Sequence, residues 1–395
     1  MSKHIWTMAA LAAALLLAGC TAKKEKVELP ILAWYSIPEE NISLERFQEL
    51  KEAGFNVNLS SVGSFDKALA SLDYGEQTGV KIVFSCHDMW EDPEGTAAKV
   101  KDHPALFGYS LGDEPNNARF PVLADMADRL RSVDPDHVIY VNLFPNYAPD
   151  EVLGSTYPEH VRKYIEEVRP PLVSFDFYPV TEDGIRERWW ENLEVISRES
   201  AAAGLPFWAF ALSTAHKPYP IPTMASLRLQ FYTDLAYGAQ GLQYFTYWNP
   251  VPGTWDFHDA PIDLDGNRTP VYDLVKAMNA ELQARADIFV GDKVLQVRHT
   301  GETVPPGVTP LTDLPEPLTA LDTHGKGAVV SLLENGGFRY LMLVNRSLDE
   351  GFDYDIAFAR KVERVGRDGR AVKVPAKGTQ TFHLEGGDCV IFRWK

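Results

Sequence analysis

Between residues 31 and 248 the chain alternates two kinds of segment. Eight short runs are nearly unbroken apolar stretches: "ILAWYSI" (31–37), "FNVNLSS" (55–61), "VKIVFSC" (80–86), "LFGYSLG" (106–112), "HVIYVNLF" (137–144), "PLVSFDFY" (171–178), "LPFWAFAL" (205–212) and "GLQYFTYW" (241–248). Strands covered on both faces read this way. Between them lie stretches such as "LERFQELKEAG", "VLADMADRLRSV", "EHVRKYIEEV" and "ENLEVISRESAAAG". There the apolar residues return at helical spacing, and Ala-Gly endings supply a stop signal. Eight strand-helix units in succession predict an α/β fold, a (β/α)8 TIM barrel over residues 31–289. No glycine-rich phosphate loop follows the first strand, which argues against a doubly wound nucleotide-binding sheet. After residue 290 the period drops to two, in "KVLQVRH", "GAVVSLLE", "FRYLMLVNRS" and "CVIFRW". That pattern predicts a small C-terminal antiparallel β-sandwich over residues 290–395.

A barrel of this kind does its chemistry at the carboxyl ends of its strands, and side chains alternate in and out along each one. On strand 4, Gly108, Ser110, Gly112 and Glu114 share a face. The small residues suit the crowded interior, so Glu114 is expected to point into the mouth. Asp113 falls on the other parity and is expected to turn sideways, still among the polar groups around the site. On strand 6, Asp176 and Tyr178 share the inward face with Ser174, and on strand 7 the small set is Ala209, Ala211 and Ser213. Tyr244 and Trp248 share a face of strand 8. Asn56, Asn58 and Asn142 come from strands 2 and 5, and His87, Asp88 and Trp90 follow strand 3. His216, Lys217 and Tyr219 sit in the loop after strand 7. Acids, amides and aromatics around one mouth suit a sugar, whose hydroxyls need paired donors and acceptors and whose ring faces stack on aromatic rings.

Charge and cysteines narrow the classes. A net charge of −17 argues against nucleic acid as a partner, because phosphate binding needs a basic face. Neither a CxxC nor an HExxH motif is present, so no metal site and no cofactor are expected. The first residues, "MSKHIWTMAALAAALLLAGC", combine a cationic start, an apolar run and small residues before a cysteine, the pattern of a secretory signal over 1–19. "LLAGC" resembles the lipobox of bacterial lipoproteins, which implies lipid attachment at Cys20, a polar tether over 20–30, and a membrane-anchored protein of the bacterial cell envelope.

"GDEPN" after strand 4, "DFYPV" after strand 6 and "AYGAQGLQYFTYW" into strand 8 resemble, in that order, the clan A glycoside hydrolases, most closely the family 42 β-galactosidase-type barrels. The resemblance implies Glu114 as general acid, Tyr178 orienting a nucleophile and Trp248 flooring a sugar site. One departure matters. Where the clan carries a nucleophilic glutamate on strand 7, this chain has "WAFALSTAH". Asp176 is then the expected second catalytic carboxyl, with Asp88 and Asp256 behind it. The same departure leaves a second possibility, a glycan-binding protein on a catalytically inactive barrel.

Overall fold

The computed structural model describes residues 27–60, 62–375 and 378–395. Cys20 and the apolar segment before it lie outside these residues. Eight parallel strands close a barrel: β1 (Ile31–Trp34), β2 (Val57–Asn58), β3 (Lys81–Phe84), β4 (Leu106–Asp113), β5 (Val138–Leu143), β6 (Val173–Phe175), β7 (Phe207–Leu212) and β8 (Gly241–Phe245). Closure is made by β8 on β1, with Ile31 opposite Leu242 and Trp34 opposite Phe245. The helices stop where the sequence says they should. The helix Arg188–Ala203 ends at Gly204, whose φ of 69° is left-handed, a conformation that suits a residue without Cβ.

Two apolar layers divide the barrel. Ala33, Tyr109, Leu111, Val141, Ala209, Ala211 and Tyr244 face outward into the layer beneath the helices. Leu32, Trp34, Val57, Leu59, Val83, Tyr140, Leu172, Trp208 and Phe210 fill the interior. On β7, therefore, the bulky residues point in and the alanines point out, the reverse of the size rule applied above. The reason lies in the neighbouring strand. A Cβ on Gly241 would come within 2.3 Å of the Trp208 ring, so the space that β8 gives up is filled from β7, and Phe107 stacks on Trp208 at 5.4 Å. Interior volume is conserved across strands, not within each one.

Beyond the barrel, nine strands form two antiparallel sheets: β9 (Lys293–His299), β10 (Leu318–Asp322), β11 (Ala328–Asn335), β12 (Phe338–Asn345), β13 (Phe352–Phe358), β14 (Val362–Val365), β15 (Ala371–Val374), β16 (Gln380–Leu384) and β17 (Cys389–Trp394). The larger sheet runs β9-β11-β12-β17-β14-β15 and the smaller β10-β13-β16. Alternation divides the faces of the larger sheet. Val330, Leu332, Leu341, Leu343 and Phe392 meet the smaller sheet. Val329, Leu333, Met342, Val344 and Ile391 join the barrel's own core. The Ser331 hydroxyl donates to the Ala236 carbonyl at 2.7 Å, tying the sheet to the barrel helix Met224–Ala236.

Candidate active site

The acids stand at the end of β4 because that strand bulges. Ser110 lies opposite Tyr140 of β5, yet Asp113 lies opposite Asn142, so three steps on β4 match two on β5. An extra residue reverses the parity that follows it. Asp113 is thereby brought into the mouth, which corrects the expectation that it turns sideways. The backbone then passes through Gly112 at φ 143° and Glu114 at φ 45°. A non-glycine residue in the left-handed region is uncommon and collects at functional sites. It is held here by the Glu114 amide donating to the Asn142 carbonyl at 2.8 Å. Both acids therefore face one cleft.

A chain of hydrogen bonds rises to them from the barrel core. The Tyr140 hydroxyl donates to Gln243 Oε1 at 2.5 Å, and Gln243 Nε2 donates to Ser174 Oγ at 2.8 Å. Ser174 Oγ donates to Asn142 Oδ1 at 3.0 Å. With its oxygen so occupied, Asn142 must present both N–H groups upward, one to Asp113 Oδ1 at 3.0 Å and one to Asp176 Oδ1 at 2.9 Å. Every member is satisfied, which is the condition under which a buried polar network rigidifies a site. Tyr140 and Gln243 are positioning residues that the sequence reading passed over, and Ser174 is a third, which that reading placed inward without giving it a role. The available signal was parity: Ser174 with Asp176, Tyr140 with Asn142, and a glutamine inside an apolar run.

Three carboxyls in one cleft cannot all be charged at little cost. Asp176 is buried, and burial together with the nearby Glu114 and Asp113 charges raises its carboxyl well above the usual range. Glu114 is half-buried and is pushed up to about 7, by burial first and by the Asp113 charge second. A hydrogen bond with Asp176 works in the opposite direction. Burial and the repulsion between them thus oppose ionisation of both the Glu114 and Asp176 carboxyls at once. Asp113 is flanked by protein but open to solvent, so the burial that raises its carboxyl is partial.

The remaining wall is aromatic and encloses about 1050 Å³ with Trp34, Tyr147, Phe177, Tyr178, Phe210, Tyr219, Phe245, Trp255 and Phe257. Tyr178 sits against Phe245 at 5.8 Å and edge-on to Tyr219 at 6.1 Å. His216 is buried against Tyr219 and Phe257, and burial lowers the pKa of its imidazole.

No protein-family model matches the chain, and no curated protein does. Solved structures do. The β-galactosidase from Bacillus circulans sp. alkalophilus is 10% identical over 94% of this chain and 99% of its own, with a TM-score of 0.60. A glycoside hydrolase family 5 protein from Bacteroides vulgatus is 10% identical over 92% of this chain and 88% of its own, with a TM-score of 0.58. The β-galactosidase from the psychrophilic Marinomonas ef1 is 10% identical over 65% of this chain and 60% of its own, with a TM-score of 0.49, so this chain spans about 60% of that protein's length. The fold is that of the glycosidase barrels.

Several expected site residues lie elsewhere. Asn56 is turned to the amino end of the barrel, accepting from the Ile31 amide at 2.7 Å and donating to the Leu29 carbonyl at 2.9 Å. Asn58 is buried and donates to Ser60 at 3.3 Å, away from the cleft wall. His87, Asp88 and Trp90 ride a short helix, His87–Glu91, packed at Gly63, and none of them lines the cleft. Ser213 is fully buried and donates to the Thr246 carbonyl at 2.8 Å, which seals the end of β7. The outward parity of β8 carries Tyr244 to Asn279, to which it donates at 2.7 Å. Trp248 is buried under Arg46, 5.0 Å from its ring, and Phe245 takes the place at the cleft wall expected of it. Asp113, Glu114, Asn142, Asp176 and Tyr178 are the expected residues that the fold brings together.

Proposed function

We propose that this chain is a glycoside hydrolase acting on glycosidic bonds of oligo- or polysaccharides, with Glu114 as the general acid. One observation carries the reading: a half-buried carboxyl, pushed up to about 7, at the floor of an aromatic cleft in a glycosidase-like barrel. A leaving glycosidic oxygen needs a proton, and an acid that is still protonated near neutral pH can give one. In the reaction the bond from the anomeric carbon to that oxygen breaks as Glu114 protonates it. Water forms the new bond to the anomeric carbon and yields its proton to Asp176, whose second interaction, with Asn142, fixes its plane. An inverting pair stands roughly 6.5 to 9.5 Å apart to admit that water. The lipobox-like "LLAGC" supports a lipid tether at Cys20 and a place on the bacterial cell envelope. No helix among the described residues is long and apolar enough to cross a membrane.

The test is E114Q assayed beside wild type against aryl glycosides and oligosaccharides of varied linkage. Loss of hydrolysis with retained binding supports the assignment, and unchanged hydrolysis removes it. A second reading, glycan binding without turnover, is favoured by the absence of any carboxyl on the β7 segment Phe207–Leu212. Oligosaccharide binding by wild type with no product after prolonged incubation would select it.

A further inference from the structure

The cleft holds a cation that its own acids do not use. Arg186 follows a tight hairpin, Val180–Thr181 with Gly184–Ile185, and its backbone amide donates to the Pro179 carbonyl at 2.9 Å. Its guanidinium lies 5.4 Å from the Tyr147 ring and 5.0 Å from the Tyr219 ring. Both tyrosines line the cleft, as does Arg186. Neighbouring Arg188 is committed elsewhere, donating to the Asn146 carbonyl at 2.7 Å and pairing with Glu191 at 3.6 Å. Arg186, by contrast, forms no ion pair with a carboxylate among the described residues. A chain of net charge −17 that leaves such an arginine unpaired on a cleft wall offers it to a ligand.

We infer that the cleft takes an acidic glycan, and that Arg186 binds the anionic group of one of its sugars. The inference rests on the glycosidase reading of the same cleft and names its substrate class. Two tyrosine faces hold the guanidinium in place, so its fork of N–H donors is set before the ligand arrives. A planar carboxylate, as in a uronic acid, matches that fork with two parallel hydrogen bonds, and a sulfate ester shares the charge but not the planarity. The floor permits an anion. Burial and mutual repulsion oppose full ionisation of Glu114 and Asp176, which lowers the negative charge an incoming anion must face. Glu187 beside Arg186 and Asp113 on the floor are the charges that remain against it.

Calorimetry on the full chain tests this with glucuronide and galacturonide trisaccharides, their carboxyl-reduced counterparts and a 6-sulfated galactose trisaccharide. Uronides should bind at least about tenfold tighter than the reduced forms, as expected for a charge-assisted pair in a partly dry site. R186Q should erase that preference and leave the reduced sugars bound as before, and R186K, which keeps the charge without the fork, should fall between. A preference for the sulfated sugar that R186Q erases would assign the anion to a sulfate ester. Equal binding of charged and reduced sugars by wild type, or a preference that survives R186Q, overturns the inference. Hydrolysis of neutral glycosides that still depends on Glu114 would then leave the glycosidase reading standing. If no sugar binds and none is cleaved, both fall.

Discussion

The two halves of the barrel mouth differ in kind. On the β4–β6 side, a bulged strand and a buried asparagine hold Asp113, Glu114 and Asp176 together over a hydrogen-bonded chain that reaches Gln243 in the core. On the β7–β8 side, Phe210 and Phe245 face the cleft, and Ser213 spends its hydroxyl on the backbone of the next strand. Carboxyls can be placed close together only where a retained proton or a shared donor offsets their repulsion, and in the first half Asn142 is such a donor to Asp113 and Asp176. The second half supplies area for a sugar ring and no chemistry. Under the proposed glycosidase reading, hydrolysis would depend on one side of the mouth and affinity on the other.

The strongest way to break the comparison is to exchange a residue from each half. E114Q is expected to lower the rate of glycoside cleavage by about 10²- to 10⁴-fold, the usual worth of a positioned acid. S213A should change it less than about threefold, since Ser213 is sealed from the cleft. An S213A rate as low as that of E114Q would move the chemistry to β7. The same Glu114 substitution should raise stability on the alkaline side. The folded-state pKa of Glu114 lies above that of an unfolded glutamate, so between about pH 4.5 and 7 the native state binds more protons and wild-type stability falls as pH rises. Glutamine removes that loss. Denaturant titrations should show E114Q gaining about 1 kcal/mol on wild type between pH 5 and pH 8, allowing for the solvent that reaches a half-buried group.

On the aromatic side, F245A should act through affinity. Phe245 packs on Tyr178 and Phe257 at 5.8 and 5.9 Å and lines the cleft. Its loss should raise KM by about tenfold, one stacking contact's worth, with kcat held within about threefold. A fall in kcat with unchanged KM would mean that the two halves do not divide the work as stated.

The division between halves was only partly legible in the sequence, for physical reasons. Eight strands could be read from apolar runs because both faces of a barrel strand are covered, and the C-terminal sheets from a period of two because each buries a face against a neighbour. Which face points inward could not be read from one strand. Trp208 turns in because Gly241 on the next strand leaves it room. Asp113 turns in because β4 carries a bulge that only its register against β5 reveals. Glu114 was legible from its place at the carboxyl end of the strand, although the bulge reverses the parity used to place it and it lines the cleft from a left-handed backbone at φ 45°. Trp248 was misplaced because the resemblance to the clan supplied a role that Phe245 is positioned to take.

A finer test asks whether the acids on the first side act on each other. D113N keeps an oxygen to accept from Asn142 but removes a charge that raises the Glu114 pKa. If Glu114 is the general acid, cleavage requires its protonated form, so activity should be present below its pKa and lost as pH rises through about 7. Without the Asp113 charge the alkaline limb of the pH-rate profile should move to lower pH, by less than about one unit because Asp113 is open to solvent. An unmoved limb would make the two carboxyls independent.

The smallest effect on catalysis is expected at Trp248, and it sharpens the boundary of the aromatic half. Its ring is buried beneath the Arg46 guanidinium, and Arg46 in turn donates to the Gly266 carbonyl at 2.8 Å and pairs with Glu49 at 2.8 Å. That cluster braces the loop after β8 against the helix Leu44–Glu52, outside the cleft wall. W248F keeps an aromatic ring under the arginine but weakens the cation–π contact, so it should cost about 1 kcal/mol of stability. KM and kcat for any glycoside the chain cleaves should stay within about twofold of wild type, because no cleft surface changes. A tenfold rise in KM would extend the sugar-binding wall from Phe245 to Trp248 and make the two aromatics one surface.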